Sequence, residues 1–158
     1  MTPGIDAAKK AGISHKVHEY IHDPSSDSYG REAAVKKGVA ENRVFKTLVV
    51  SLDGLRGKVL AVGIVPVSSK LNMKQIAKAA KAKKANMADK SDVERSTGYV
   101  LGGVSPLGQK KRLRTFIDSS AENYSTIFVS AGRRGLEIEL SPEDLKSLTN
   151  GEFAEVGQ

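Results

Sequence analysis

The chain has 158 residues, with 25 Lys+Arg against 18 Asp+Glu and a formal net charge of +7. Its length fits one domain with a real core, and 39% hydrophobic with 27% charged residues excludes a disordered or membranous chain. The absence of Cys excludes disulfides, iron–sulfur clusters and a protein thiol nucleophile. No apolar run approaches the roughly 18 residues of a transmembrane helix. Met1–Asp6 lacks the basic and apolar regions of a signal peptide. A soluble, cytoplasmic protein is expected, and its charge favours a polyanionic partner without identifying one.

In chain order, Thr2-Pro3 reads as a helix N-cap followed by Pro at the first helical position, with Gly12 closing the helix. Lys16–Ile21 reads as a strand, Asp23–Asp27 as a turn and Gly30–Val39 as a helix. Two β-branched runs, Phe45–Leu52 and Lys58–Val65, are joined by Asp53–Gly57 and predict a hairpin. Asn72–Lys83 is expected to be helical, with Met73, Ile76, Ala77 and Ala80 on its apolar stripe. A short helix at Ser91–Arg95 precedes the glycine-rich loop Gly98–Gly108. Strands follow at Thr115–Ser119, Thr126–Ser130 and Glu137–Leu140. Ser141-Pro142-Glu143-Asp144 starts a last helix that Asn150-Gly151 stops. The fold class expected is α+β: one domain over 1–158, with a curved, mixed, largely antiparallel sheet or barrel-like core flanked by helices.

The candidate chemistry is sparse. His15, His18 and His22 invite a metal reading, but His18 and His22 on one strand lie about 13 Å apart at about 3.3 Å per residue. With no Cys to complete a site, histidines on an edge strand account for them better, and no metal or cofactor is expected. Lys70, Lys74, Lys78, Lys81, Lys83 and Lys84 form an acid-free basic run. Lys110-Lys111-Arg112 with Arg114, and Arg133-Arg134, form two further clusters. Such clusters either solvate the surface or follow a phosphate backbone. At 5% aromatic residues, base reading by stacked rings is not expected.

Lys46 opens an apolar strand, where a lysine must snorkel, pair with an anion or face a cleft. The Ser96–Gly108 segment is neither a P-loop nor a dinucleotide fingerprint. Its glycines serve a tight turn or let backbone N–H groups cradle an oxyanion. Neither Ser105 nor Ser130 sits in a Gly-x-Ser-x-Gly elbow, and every histidine lies within the first 22 residues. No protein nucleophile stands out.

These residues carry a family resemblance. Met1-Thr2-Pro3, Phe45-Lys46-Thr47-Leu48, Val65-Pro66-Val67, Lys83-Lys84, Met87-Ala88-Asp89, the Arg95–Leu113 block and Val129-Ser130-Ala131-Gly132 occur in order along nearly the whole chain. Together they resemble the YbaK family of bacterial aminoacyl-tRNA deacylases, relatives of the editing domain of prolyl-tRNA synthetase. The resemblance implies removal of Cys from mischarged Cys-tRNA(Pro), with the tRNA acceptor end as substrate and prolyl-tRNA synthetase as protein partner. It places Lys46 near the terminal adenosine, and Gly102 and Gly103 as backbone donors to the substrate carbonyl. Tyr20, Tyr29, Thr47, Ser105, Ser130 and Glu137 then form the aminoacyl pocket. Glu137 stands where relatives commonly have Asp.

With no protein nucleophile, the substrate's own thiol is expected to attack its ester carbonyl. A water-mediated esterase of the same family and a non-catalytic RNA-binding module are the alternatives.

Overall fold

The computed structural model describes residues 1–21, 32–35, 38 and 40–158. The turn expected at Asp23–Asp27, His22, Tyr29 and most of the expected helix Gly30–Val39 lie outside them. Residues 32–35 of that helix are described and are helical.

Helix α1 (Pro3–Ala11) forms as its caps dictate. The Thr2 hydroxyl accepts from the Ile5 N–H and donates to the Ala131 carbonyl, and Gly12 ends the helix in the left-handed region. Ile5 and Ala8 are its buried side chains.

The strands divide into two sheets. Strands β1 (His15–Glu19), β7 (Leu136–Leu140) and β6 (Ile127–Arg133) form an antiparallel three-stranded sheet in the order β1-β7-β6. The second sheet has the order β4-β2-β3-β5-β8, built from β2 (Phe45–Asp53), β3 (Val59–Pro66), β4 (Lys84–Met87), β5 (Arg114–Asp118) and β8 (Glu152–Ala154). The expected hairpin is present, with Phe45 opposite Pro66 and Leu52 opposite Val59. Strand β5 pairs parallel to both β3 and β8, which makes the sheet mixed, as the sequence predicts. Among the described residues, one isolated parallel bridge, Val44 to Phe128, joins the two sheets.

Period-2 alternation on β2 sends Phe45 and Val49 into one core, with Ile127, Val129, Ile138 and Leu140 of the small sheet. Val50 and Leu52 point to the other side, into a second core under helix α2 (Met73–Ala80). Ile76, Ala77 and Ala80 of α2 are buried there, as the apolar stripe predicts.

The sequence reading is corrected at the end of α2. The helix stops at Ala80 because Lys81 adopts φ 59°, and Lys84 begins strand β4. The short helix expected at Ser91–Arg95 extends over Lys90–Thr97 (α3). Its Asp92 carboxylate binds Lys58 at 2.6 Å and also Arg95, which ties the hairpin to the helix. Helix α4 (Pro142–Thr149) starts at Ser141, whose hydroxyl accepts from the Asp144 N–H, and ends at Asn150 in the left-handed region. Among the described residues, no helix is long and apolar enough to cross a membrane.

Candidate active site

One face of the small sheet packs into the main core, and the opposite face carries the polar residues. Directly opposed residues share a face, and Glu137 on the central strand β7 lies opposite Ser130 of β6 and His18 of β1. Continuing the Val44–Phe128 bridge by two residues brings Lys46 of β2 level with Ser130. Four strands therefore place Lys46, Ser130, Glu137 and His18 in one row. Tyr20, two residues beyond His18, follows on the same face and packs with Ala33, Ala34, Val44, Val67 and Phe128.

Burial dominates the electrostatics of this row. Glu137 is only 7% exposed, and burial pushes its carboxyl up to about 8. Tyr20 is pushed up to about 12, chiefly by burial and then by the Glu137 and Glu32 carboxyls, with Gly135 and Arg134 partly opposing. Both groups are neutral at pH 7. The Ser130 hydroxyl accepts from the Gly132 N–H at 3.1 Å and keeps its own proton to donate.

At the outer end of the row, His18 Nε2 lies 2.9 Å from Glu139, whose second oxygen accepts from Thr126. The His18 ring also meets Phe128, with centroids 5.2 Å apart. His18 is thus engaged by a carboxylate and an aromatic ring, and His22 lies outside the described residues.

The glycine loop borders this face. A Cβ built on Gly103 would lie 3.1 Å from the Arg133 Cα, so the loop rests on the end of β6. Val100–Gly103 is a tight turn closed by the Gly103 N–H donating to the Val100 carbonyl at 3.0 Å, with Gly102 at φ 95° in its third position. The Gly103 donor is committed to that turn. Gly102 is exposed and its N–H makes no hydrogen bond within the described residues, so of the two expected backbone donors it is the available one.

Two expected pocket residues lie elsewhere. Thr47 follows Lys46 on a strand, so its side chain points to the opposite face, with Phe45 and Val49, and its buried hydroxyl has no hydrogen-bond partner among the described residues. Ser105 is fully buried between α1 and the loop. Its hydroxyl accepts from the Leu107 N–H and bonds Tyr99, whose own hydroxyl donates to the Leu107 carbonyl at 2.6 Å. That makes Ser105 a clasp for the loop. Tyr29 lies outside the described residues.

Sequence reasoning missed Glu32 and misread Arg134. Arg134 was grouped with the surface cations, yet it is largely buried and lies 4.0 Å from the Glu32 carboxylate beside Tyr20. Arg114 is likewise engaged, donating to the Ala80 carbonyl and stacking on Phe116. Only a pattern linking residues a hundred positions apart would have revealed the Glu32–Arg134 pair.

Comparisons with known proteins bear on the family and the fold. The model of the aminoacyl-tRNA editing domain matches residues 23–148. EbsC of Enterococcus faecalis, named as a candidate Cys-tRNA(Pro)/Cys-tRNA(Cys) deacylase, is 44% identical over 145 residues, covering 90% of this chain and 87% of that protein. The uncharacterized protein YwhH of Bacillus subtilis is 28% identical over 126 residues, covering 79% and 77%. Among solved structures, the hypothetical protein APE2540 superposes with a TM-score of 0.84 at 24% identity, covering 99% of both chains. A candidate trans-editing enzyme for prolyl-tRNA synthetase gives 0.83 at 24%, covering 99% of this chain and 95% of that one. These two structures share the fold. The sequence matches go further, and the resemblance read from the motifs holds: the chain belongs to the aminoacyl-tRNA editing domain family.

Proposed function

We propose that this protein, acting in the cytoplasm as one editing domain over residues 1–158, removes Cys from Cys-tRNA(Pro). The observation that carries the reading is the row itself. A buried Glu137, flanked by the half-buried Tyr20 and Ser130, lies level with one lysine, and the loop that carries the exposed Gly102 rests on the end of β6. The name of the 44% identical relative supports the same substrate.

The Lys46 ammonium holds a phosphate oxygen of the terminal adenosine, while Tyr20, Tyr29, Ser130 and Glu137 enclose the cysteinyl group. The Gly102 N–H faces the ester carbonyl oxygen as it gains negative charge, a contact worth about 10²–10³ in rate where such donors have been removed. The substrate's sulfur attacks its own carbonyl carbon, the bond to the ribose oxygen breaks, and that oxygen leaves with the proton from the thiol. A free thiol with a pKa of about 8.5 is a few per cent ionised near pH 7 and strongly nucleophilic. The product is a cyclic thiolactone, which water opens to cysteine. Prolyl-tRNA synthetase supplies tRNA identity, since lysine-rich surfaces hold RNA without reading its bases.

The test is deacylation of Cys-, Ala- and Pro-tRNA(Pro) with the released small molecule identified. Rapid release from the cysteinyl form alone is expected. Equal rates on Ala-tRNA(Pro) would overturn the thiol mechanism and favour an attacking water.

A further inference from the structure

A second feature lies on the far side of the glycine loop from the row. A groove of about 350 Å³ runs between α1, the loop and α4. Ala7, Leu113 and Leu148 contribute its apolar floor, and Lys10, Lys111 and Arg112 line its rim. All three cations are exposed, and among the described residues none has an ion-pair partner and no carboxylate lines the groove. The C-terminal turns of α1 and α4 border it with roughly half a negative charge each, which three full positive charges outweigh.

The rim is also held in place. The Lys110 and Lys111 N–H groups donate to the Thr97 and Ser96 carbonyls at 2.9 Å, and the Gln109 amide donates to the Ser105 carbonyl at 3.0 Å. By contrast, Lys74 and Lys78 stand on the convex, solvent-facing side of α2.

The groove lies close to the row. A Cβ on Gly4 would sit 3.0 Å from the Ala131 carbonyl, one residue beyond Ser130, and Lys10 is six residues further along the same helix, about 9 Å. The chain that forms the Gly102 turn continues through Gly108 against Pro3 and into the rim.

We propose that this groove seats the phosphate backbone of the tRNA acceptor arm, with Lys10, Lys111 and Arg112 as its phosphate contacts. The assignment rests on the deacylase reading for its substrate and adds the surface that aligns the RNA. A strand lying along α1 and the loop presents its 3′ end toward Gly102 and Lys46.

The test compares the parent with Lys10→Gln/Lys111→Gln/Arg112→Gln, which keeps part of each aliphatic stem, and with Lys70→Gln/Lys74→Gln/Lys78→Gln. Binding of uncharged tRNA(Pro) is measured from 50 to 200 mM salt, alongside steady-state deacylation of Cys-tRNA(Pro). Three lost phosphate contacts flatten the log–log salt slope by about 2.1–2.7, so the parent's advantage shrinks about 20- to 40-fold across that range. The groove variant is expected to show that flattening, with raised KM and kcat within about twofold. The helix variant keeps the parent's slope to within about one. Single Lys111→Gln and Arg112→Gln variants, each flattening the slope by about 0.7–0.9, guard against misfolding of the triple.

An unchanged slope in the groove variant, or the whole loss in the helix variant, overturns the proposal. So does competition by poly-glutamate as effective as that by tRNA, which would mark an unspecific polyanion surface. Flattened binding with no deacylation even by the parent would uphold the groove and sink the deacylase reading. Full parent activity with coincident slopes would do the reverse.

Discussion

Glu137→Gln tests the electrostatic reading of the row most directly. The folded carboxyl titrates at about 8 against 4.5 for an unburied one, so between those values the native state holds a proton that the unfolded chain has released. Stability must then fall with rising pH, by about 1.4 kcal/mol per unit. The contribution is fully present below pH 4.5 and is lost as pH climbs to about 8. From pH 5 to 8 the loss is about 4 kcal/mol, an upper figure because water entry and side-chain rearrangement relax a buried charge. Gln has nearly the same shape and no charge to bury. Relative to the parent, the variant should therefore gain about 3–4 kcal/mol between pH 5 and pH 8, or about 10 °C in Tm for a chain of this size. Urea unfolding at pH 5, 6, 7 and 8 for both proteins measures the difference. A constant offset across the series would refute the burial argument, since it would mean that Glu137 titrates alike in both states.

Lys46→Ala should raise KM and lower kcat/KM for Cys-tRNA(Pro) by about 10- to 100-fold, with Lys46→Arg restoring part of it, because a charge-assisted contact is worth about 1.5–3 kcal/mol. Gly102→Ala puts a Cβ at φ 95°, so it should cost about 1–2 kcal/mol of stability and lower kcat at least tenfold by turning the donor N–H away. Ser105→Ala should cost about 1–3 kcal/mol in thermal unfolding with kcat unchanged, since its hydroxyl serves Tyr99 and Leu107 inside the protein. Loss of activity without loss of stability in that variant would return Ser105 to the pocket.

Features set by short-range chemistry were legible in the chain. Thr2-Pro3 and Ser141-Pro142 announced their helices because a cap needs only a hydroxyl and the next three N–H groups. The β2–β3 hairpin announced itself through two β-branched runs and a glycine-bearing turn. Edge strands β4 and β8 did not, because Lys84–Met87 and Glu152–Ala154 are short, lack clear alternation and exist only through distant partners. The end of α2 was hidden too, since the left-handed cap falls on Lys81 and no glycine marks it.

The site divided along the same line. Lys46 stood out as a lysine opening an apolar strand. The resemblance brought in Glu137, but its burial depends on three strands and was invisible locally. Neighbours in sequence also misled: Thr47 adjoins Lys46 in the chain and faces the opposite way.

Protonation links the row to the mechanism. At pH 7 Tyr20 and Glu137 are both neutral, and neither is a ready proton acceptor. Within the described residues, the row offers shape, hydrogen-bond donors and the lysine, with no base paired to a nucleophile. A substrate that ionises itself meets that shortage, and its reactive fraction grows with pH toward about 8.5. Glu137 becomes anionic over the same range; in the proposed mechanism it then stands beside a carbonyl oxygen that gains negative charge as the thiolate attacks, and like charges in a buried site repel. The parent's kcat should therefore rise from pH 6, then level or fall above about 8, while Glu137→Gln continues to rise toward the ionisation of the thiol. Single-turnover release of cysteine from Cys-tRNA(Pro) between pH 6 and 9 separates the curves. Superimposable profiles would show that the carboxyl does not face the reacting group.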